Sequence, residues 1–183
     1  MVAPARTYAR LARQPSPSGP IVALRRPLLA AIVLGAAIAI AATGRVTPAL
    51  VLSTTLSWSF VVVLQLAIAF ALVTGPARRT VGVARAIDLF FAGHAPWSFF
   101  LLAAAWFPAS FGRSTLPLLL LAVVPAALTV RIIEAFFREV VRLDRHGAIV
   151  RTAIHQAMTW TAFVLLYGSA VALWPRIVGA LGW

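Results

Sequence analysis

Acid–base chemistry in this chain would have to be built from three histidines and four acids, Asp88, Glu134, Glu139 and Asp144. Asp88 and His94 are the pair placed for it. A carboxylate six residues before an imidazole, at the edge of an apolar run, can orient and charge the ring for proton transfer or metal binding. If any residues are catalytic they are these two, acting at the level of lipid headgroups. The plainer reading is an Arg85–Asp88 pair three residues apart, followed by a helix-breaking turn that contains a histidine. A second polar group lies inside apolar sequence: His155 and Gln156, with Thr159 one turn further along the same face, and Gln65 in an earlier apolar run. Ionisable groups at membrane depth are costly and often functional, so Gln65, His155 and Thr159 mark a candidate intramembrane polar site. Hydrogen bonding between neighbouring helices accounts for them equally simply. His146, in Asp144-Arg145-His146-Gly147, reads as a helix end, cationic side chains followed by a glycine stop.

Other chemistries lack their parts. The chain has no cysteine, which removes disulfides, thiolate metal sites and thiol nucleophiles. The sequence holds no phosphate-binding loop, nucleophile elbow or HExxH pattern. With four acids to draw on, a catalytic metal centre is hard to assemble. No cofactor and no metal are expected, and a non-catalytic role is the first expectation.

What must position these residues is a set of helices in lipid. Of the 183 residues, 62% are hydrophobic and 11% charged, with mean hydropathy +0.95, whereas a soluble domain carries about 25% charged residues. Five apolar runs, 27–43, 47–73, 96–111, 116–130 and 153–173, approach the roughly 17–25 residues of a spanning helix, the third and fourth being short. They lack the strict alternation of membrane strands. The expected fold is therefore all-α, a polytopic transmembrane bundle of about five spans.

The arginines orient it. All sixteen basic residues are arginine, against four acids, for a net charge of +12. With the N-terminus cytoplasmic, that side holds Arg6, Arg10, Arg13, Arg25, Arg26, Arg78, Arg79, Arg85, Arg131, Arg138, Arg142, Arg145 and Arg151, and the other side only Arg45, Arg113 and Arg176. Such a positive-inside bias predicts the N-terminus inside and the C-terminus outside, and the use of arginine without lysine suggests a GC-rich bacterial genome, hence a bacterial plasma membrane. Residues 1–26 form a basic, proline-rich cytoplasmic arm, whose apolar continuation starts too late for a cleaved signal peptide. The transmembrane domain covers 27–175, and 176–183 is a short external tail.

Within the domain, 77–92 and 131–151 are cytoplasmic amphipathic segments. The first is expected to lie in the membrane interface, and the second to extend the fourth run, pairing Glu134 with Arg138 and Glu139 with Arg142. Arg78, Arg79, Arg85, Arg138, Arg142 and Arg145 are candidates for contact with anionic headgroups or a partner. Nucleic acid is not expected, because the arginines punctuate apolar runs instead of forming a folded basic face. Ala31, Gly35 and Ala39 in the first run, with Ser53 and Ser57 in the second, have the spacing of close helix packing.

In the order of these features the chain resembles the Yip family of Ypt/Rab-interacting membrane proteins and its bacterial relatives. The likeness lies in a long second span, a basic loop leading to a proline at the third (GPARRTVGVARAIDLFFAGHAPWSFF), and a basic stretch before the last (REVVRLDRHGAIVRTAIHQAMTWTAFVLL). It covers roughly residues 27–173. The DLYGP-type motif of the eukaryotic members is missing, so GTPase partnership does not transfer. The resemblance implies a helical scaffold that binds other membrane proteins or shapes membrane. The expectations are thus a scaffold or accessory subunit working with other membrane proteins or as a homo-oligomer. The alternatives are a small transporter component using Gln65, His155 and Thr159, or a lipid-modifying enzyme using Asp88 and His94.

Overall fold

The computed structural model describes residues 3–14, 19–77, 80–106 and 116–180. Among these the chain is entirely helical: α1 (Pro4–Arg13), α2 (Pro20–Thr43), α3 (Pro48–Ala77), α4 (Val83–Ala92), α5 (Ala95–Trp106), α6 (Leu116–Glu139) and α7 (Arg145–Ala180). Every apolar run falls in a helix, except that the end of the third run, with Pro108, lies outside the described residues. By length and hydropathy, Leu120–Glu139 is the described stretch that qualifies by itself as a membrane-crossing helix. Up to three qualify if two bent pairs each count as one crossing, Pro48–Ser57 with Ser59–Gly75 and Val83–Ala92 with Ala95–Ala103.

Helix boundaries depart from expectation in three places, each for a local reason. Helix α2 begins at Pro20 and carries Pro27 in its interior, so Arg25 and Arg26 belong to a helix and not to a loose arm. Helix α7 starts at Arg145, because the Asp144 carboxylate accepts the Gly147 N–H at 3.0 Å and satisfies a donor that the first turn leaves unpaired. The Asp-Arg-His-Gly segment that reads as a stop is a start. Helix α4 does not lie along a surface: Ala86, Ile87, Asp88, Leu89 and Phe90 are all buried between its neighbours.

One end of the bundle is tied together by contacts far apart in sequence. The Tyr8 hydroxyl donates to the Leu89 carbonyl at 3.3 Å, and its ring meets Phe136 edge-on at 5.7 Å. Arg151 donates to the Leu72 carbonyl at 2.6 Å. Around these groups Ile68, Val73, Phe90, Ile133, Phe137 and Val140 form the buried core. Elsewhere the outer surface is apolar: Leu52, Leu56, Val63, Leu120 and Val164 are all about three-fifths exposed. In water this belt would be an aggregation surface.

Helices α2 and α3 approach closely at Gly35. A Cβ there would lie 2.9 Å from the Thr55 nitrogen and 3.0 Å from its Cα. The Thr54 hydroxyl adds a hydrogen bond across the pair, 2.7 Å from the Gly35 carbonyl. Ala31 and Ala39 are buried on the same helix. Ser53 and Ser57, in contrast, sit on the exposed side, with the Ser57 hydroxyl bonded to the Ser53 carbonyl of its own helix. The neighbouring threonines, Thr54 and Thr55, take the packing role. Because backbone cannot yield as a flexible side chain does, Gly35→Ala should cost roughly 1–3 kcal/mol. Gly168→Ala, where nothing lies within 4 Å of the added carbon, should be neutral or stabilising, as unfolding in detergent micelles will show.

Burial raises the Tyr8 phenol above its usual range, with the Arg26 charge opposing in part. A group whose pKa is raised by folding contributes its stability below the unfolded value and loses it as pH climbs towards the folded one. Thermal stability should therefore decline above about pH 10, and Tyr8→Phe should flatten that decline; melting curves across the alkaline range measure both.

Candidate functional site

Asp88 sits in the middle of α4 with its side chain fully shielded. Its Oδ1 accepts from Arg25 Nε at 3.0 Å and Arg26 Nε at 2.8 Å; its Oδ2 accepts from Arg25 Nη2 at 3.1 Å and Arg85 Nη1 at 3.2 Å. Arg85 reaches on to the Leu11 carbonyl of α1 at 3.0 Å. One carboxylate thus joins α1, α2 and α4. Burying it carries a heavy desolvation cost, which four charge-assisted hydrogen bonds offset. All ion pairs among the described residues meet here, so the expected Glu134–Arg138 and Glu139–Arg142 pairs do not close.

One turn beyond, a cavity of about 280 Å³ opens between α2, α3, the α4–α5 turn, α6 and α7. Its walls are mostly apolar: Pro27, Ala31 and Leu34 from α2, Val61 and Val62 from α3, Trp97, Leu101 and Leu102 from α5. Gln65 of α3, His94 of the α4–α5 turn, Thr129 of α6, and His155, Gln156 and Thr159 of α7 add polar groups. Gln65 Nε2 donates to Thr159 Oγ1 at 3.5 Å. The two imidazoles meet edge-to-face, with 70° between their planes and ring centroids 5.3 Å apart, and Phe90 packs on both, at 4.9 and 5.3 Å. Four buried atoms here have no hydrogen-bond partner: Gln65 Oε1, His94 Nε2, Thr129 Oγ1 and His155 Nε2. Each such group destabilises by about 1–3 kcal/mol, so four around one cavity call for a reason.

The structure therefore brings Gln65, His155 and Thr159 together but adds His94, which the sequence suggested as a partner of Asp88. Asp88 and His94 do not form an acid–base pair. Both Asp88 oxygens are occupied by guanidinium groups, and His94 Nδ1 bonds the Phe90 carbonyl at 3.2 Å. Arg85 is turned inward onto Asp88 and α1, which removes it from the headgroup candidates. Arg138, Arg142 and Arg145 are exposed; Arg78 and Arg79 lie outside the described residues. No group of three metal-ligating side chains occurs among the described residues. Sequence reasoning missed Thr129 and noted Gln156 only as the neighbour of His155, and no spacing signal relates His94 to His155 across some sixty residues.

Comparison of the chain with known protein families, with curated proteins and with solved structures finds no match.

Removing the carboxylate leaves three guanidinium groups facing one another. Asp88→Ala should cost roughly 3 kcal/mol, the lower end for breaking a buried pair, since Arg25 and Arg26 keep contact with solvent. Protease sensitivity should rise first in residues 3–14, because α1 loses the Arg85 bridge; limited proteolysis with mass spectrometry reads the order.

Proposed function

We propose that this chain is a non-catalytic accessory protein of the bacterial plasma membrane that holds a small, mainly apolar ligand between its helices. In this reading it crosses the bilayer five times, from a cytoplasmic N-terminus to an external C-terminus. The observation that carries the ligand role is the cavity itself, apolar along its walls, with Gln65, His94, Thr129 and His155 in its lining, each holding one buried polar atom without a hydrogen-bond partner. Ligand sites combine these features: apolar walls for affinity and a few convergent polar groups for orientation. The five-span reading draws support from the contacts at one end of the bundle. Tyr8, Arg25, Leu72, Asp88, Phe136 and Arg151 meet there, as they must if each intervening pair of apolar runs goes out and returns. The positive-inside count assigns thirteen of the sixteen arginines to the segments that this reading puts on the cytoplasmic side.

A second reading, a component of a small transporter, is favoured by one observation: Gln65, His155 and Thr159 line a common cavity. A Yip-like scaffolding role with other membrane proteins fits the same topology.

The lack of native cysteine makes topology directly measurable. Single cysteines at Thr80 and Arg138 should react with an impermeant maleimide only from the cytoplasmic side, and one at Val46 only from outside. Labelling of Thr80→Cys and Val46→Cys from the same face would remove the five-span arrangement. Native mass spectrometry of gently solubilised protein should show one small amphiphile retained, and Val62→Trp, which fills the cavity, should release it. Identical bare masses for both proteins would count against the ligand role.

A further inference from the structure

The hydrogen bonds around the two imidazoles fix which polar group the cavity can recognise. Trp160 Nε1 can only donate, and it donates to Gln156 Oε1 at 3.2 Å. That sets the orientation of the Gln156 amide, so its nitrogen is the atom 3.4 Å from His155 Nδ1. His155 Nδ1 therefore accepts, and in the neutral ring the proton sits on Nε2. His94 is the opposite case. Its Nδ1 lies 3.2 Å from the Phe90 carbonyl, which can only accept; the proton is on Nδ1 and Nε2 carries a bare lone pair. The two unpartnered nitrogens are thus a donor on His155 and an acceptor on His94, on rings whose centroids are 5.3 Å apart. Each exposes less than 1 Å², so a ligand hydroxyl reaches them by parting the two rings where they meet.

Resting on the ligand-binding reading of this cavity, we infer that its ligand is an alcohol or phenol with a hydrocarbon body, whose hydroxyl accepts from His155 Nε2 and donates to His94 Nε2. A ketone or ether can accept but not donate, and leaves the His94 lone pair unsatisfied. A hydrocarbon answers neither nitrogen. The hydrocarbon body lies against Leu34, Val62, Leu101 and Leu102. Trp97 and Trp160 flank the cavity with their rings 5.6 Å apart and serve as its reporters.

The full chain, reconstituted in phosphatidylcholine vesicles, is titrated with three terminally brominated probes of near-equal size: decanol, decyl methyl ether and undecane. Bromine quenches tryptophan on contact, and a Trp97→Phe/Trp160→Phe variant supplies the background from the bilayer. The alcohol should reach half-maximal site quenching at a mole fraction roughly tenfold below that of the ether or alkane, the scale set by one or two net hydrogen bonds. His155→Phe, which keeps a ring in place but removes the donor, should bring the ether level with the alkane and leave the alcohol only the advantage of the bond it donates to His94, while alkane quenching persists. Equal quenching by all three probes would overturn the hydroxyl assignment and leave the cavity as a general apolar site. Absence of site quenching by any probe would overturn the ligand-binding reading and this inference with it. Should His155→Phe fail to fold, the comparison of the three probes on the unaltered chain decides alone.

Discussion

A single shielded carboxylate organises this protein. Asp88 cannot remain buried without cations, and three guanidinium groups converge on it from two helices, one of them extending to a third. Because a buried charge tolerates little displacement of its partners, the interaction fixes the position of α4 relative to α1 and α2. Phe90 and His94 follow on the same short helix and the turn that ends it. Where Asp88 sits thus determines where the His94 ring can lie against His155, and hence the polar end of the cavity. Around this knot the remaining packing is ordinary: interlocked Tyr8, Phe90, Phe136 and Phe137 on one side, and small residues at the α2–α3 contact on the other.

The two halves of the molecule face different demands. At the knotted end the interior is dense and aromatic, with Phe90, Phe136 and Phe137 fully buried. Along the helices leading away from it, large apolar side chains such as Leu56, Phe99 and Leu121 are exposed. This inversion of the usual hydrophobic arrangement suits a hydrocarbon surrounding, in which helices are held by close contact and hydrogen bonds instead of by exclusion from water. The Gly35–Thr54 approach is a contact of that kind, and the Gln65–Thr159 bond another.

Helix content and approximate limits were legible in the sequence, because long apolar runs broken by arginine, glycine and proline leave few alternatives. Three polar residues that line the cavity, Gln65, His155 and Thr159, also stand out in the sequence against apolar surroundings. Tertiary pairing was not legible. Arg25 and Arg26 lie more than sixty residues from Asp88, and a local rule prefers Arg85 at three residues' distance; the structure uses all three. Likewise the six-residue spacing of Asp88 and His94 invited an acid–base pair, whereas the helix break after Ala92 carries His94 towards α7. Asp144 shows the limit of motif reading at a boundary. Glycine after cationic residues resembles a stop, but an aspartate three residues ahead of that glycine starts a helix by capping it.

If the ionic knot sets the histidine pair, disturbing one must be felt at the other, although Asp88 and the imidazoles share no hydrogen bond. Imidazole nitrogen NMR of the unaltered chain and of Asp88→Asn measures this directly. Opposite tautomers are expected in the unaltered protein, proton on Nδ1 for His94 and on Nε2 for His155, with the signals of both rings displaced when the carboxylate is neutralised. Unchanged signals from both histidines in a variant whose α1 has come loose would contradict the dependence of the histidine pair on the knot.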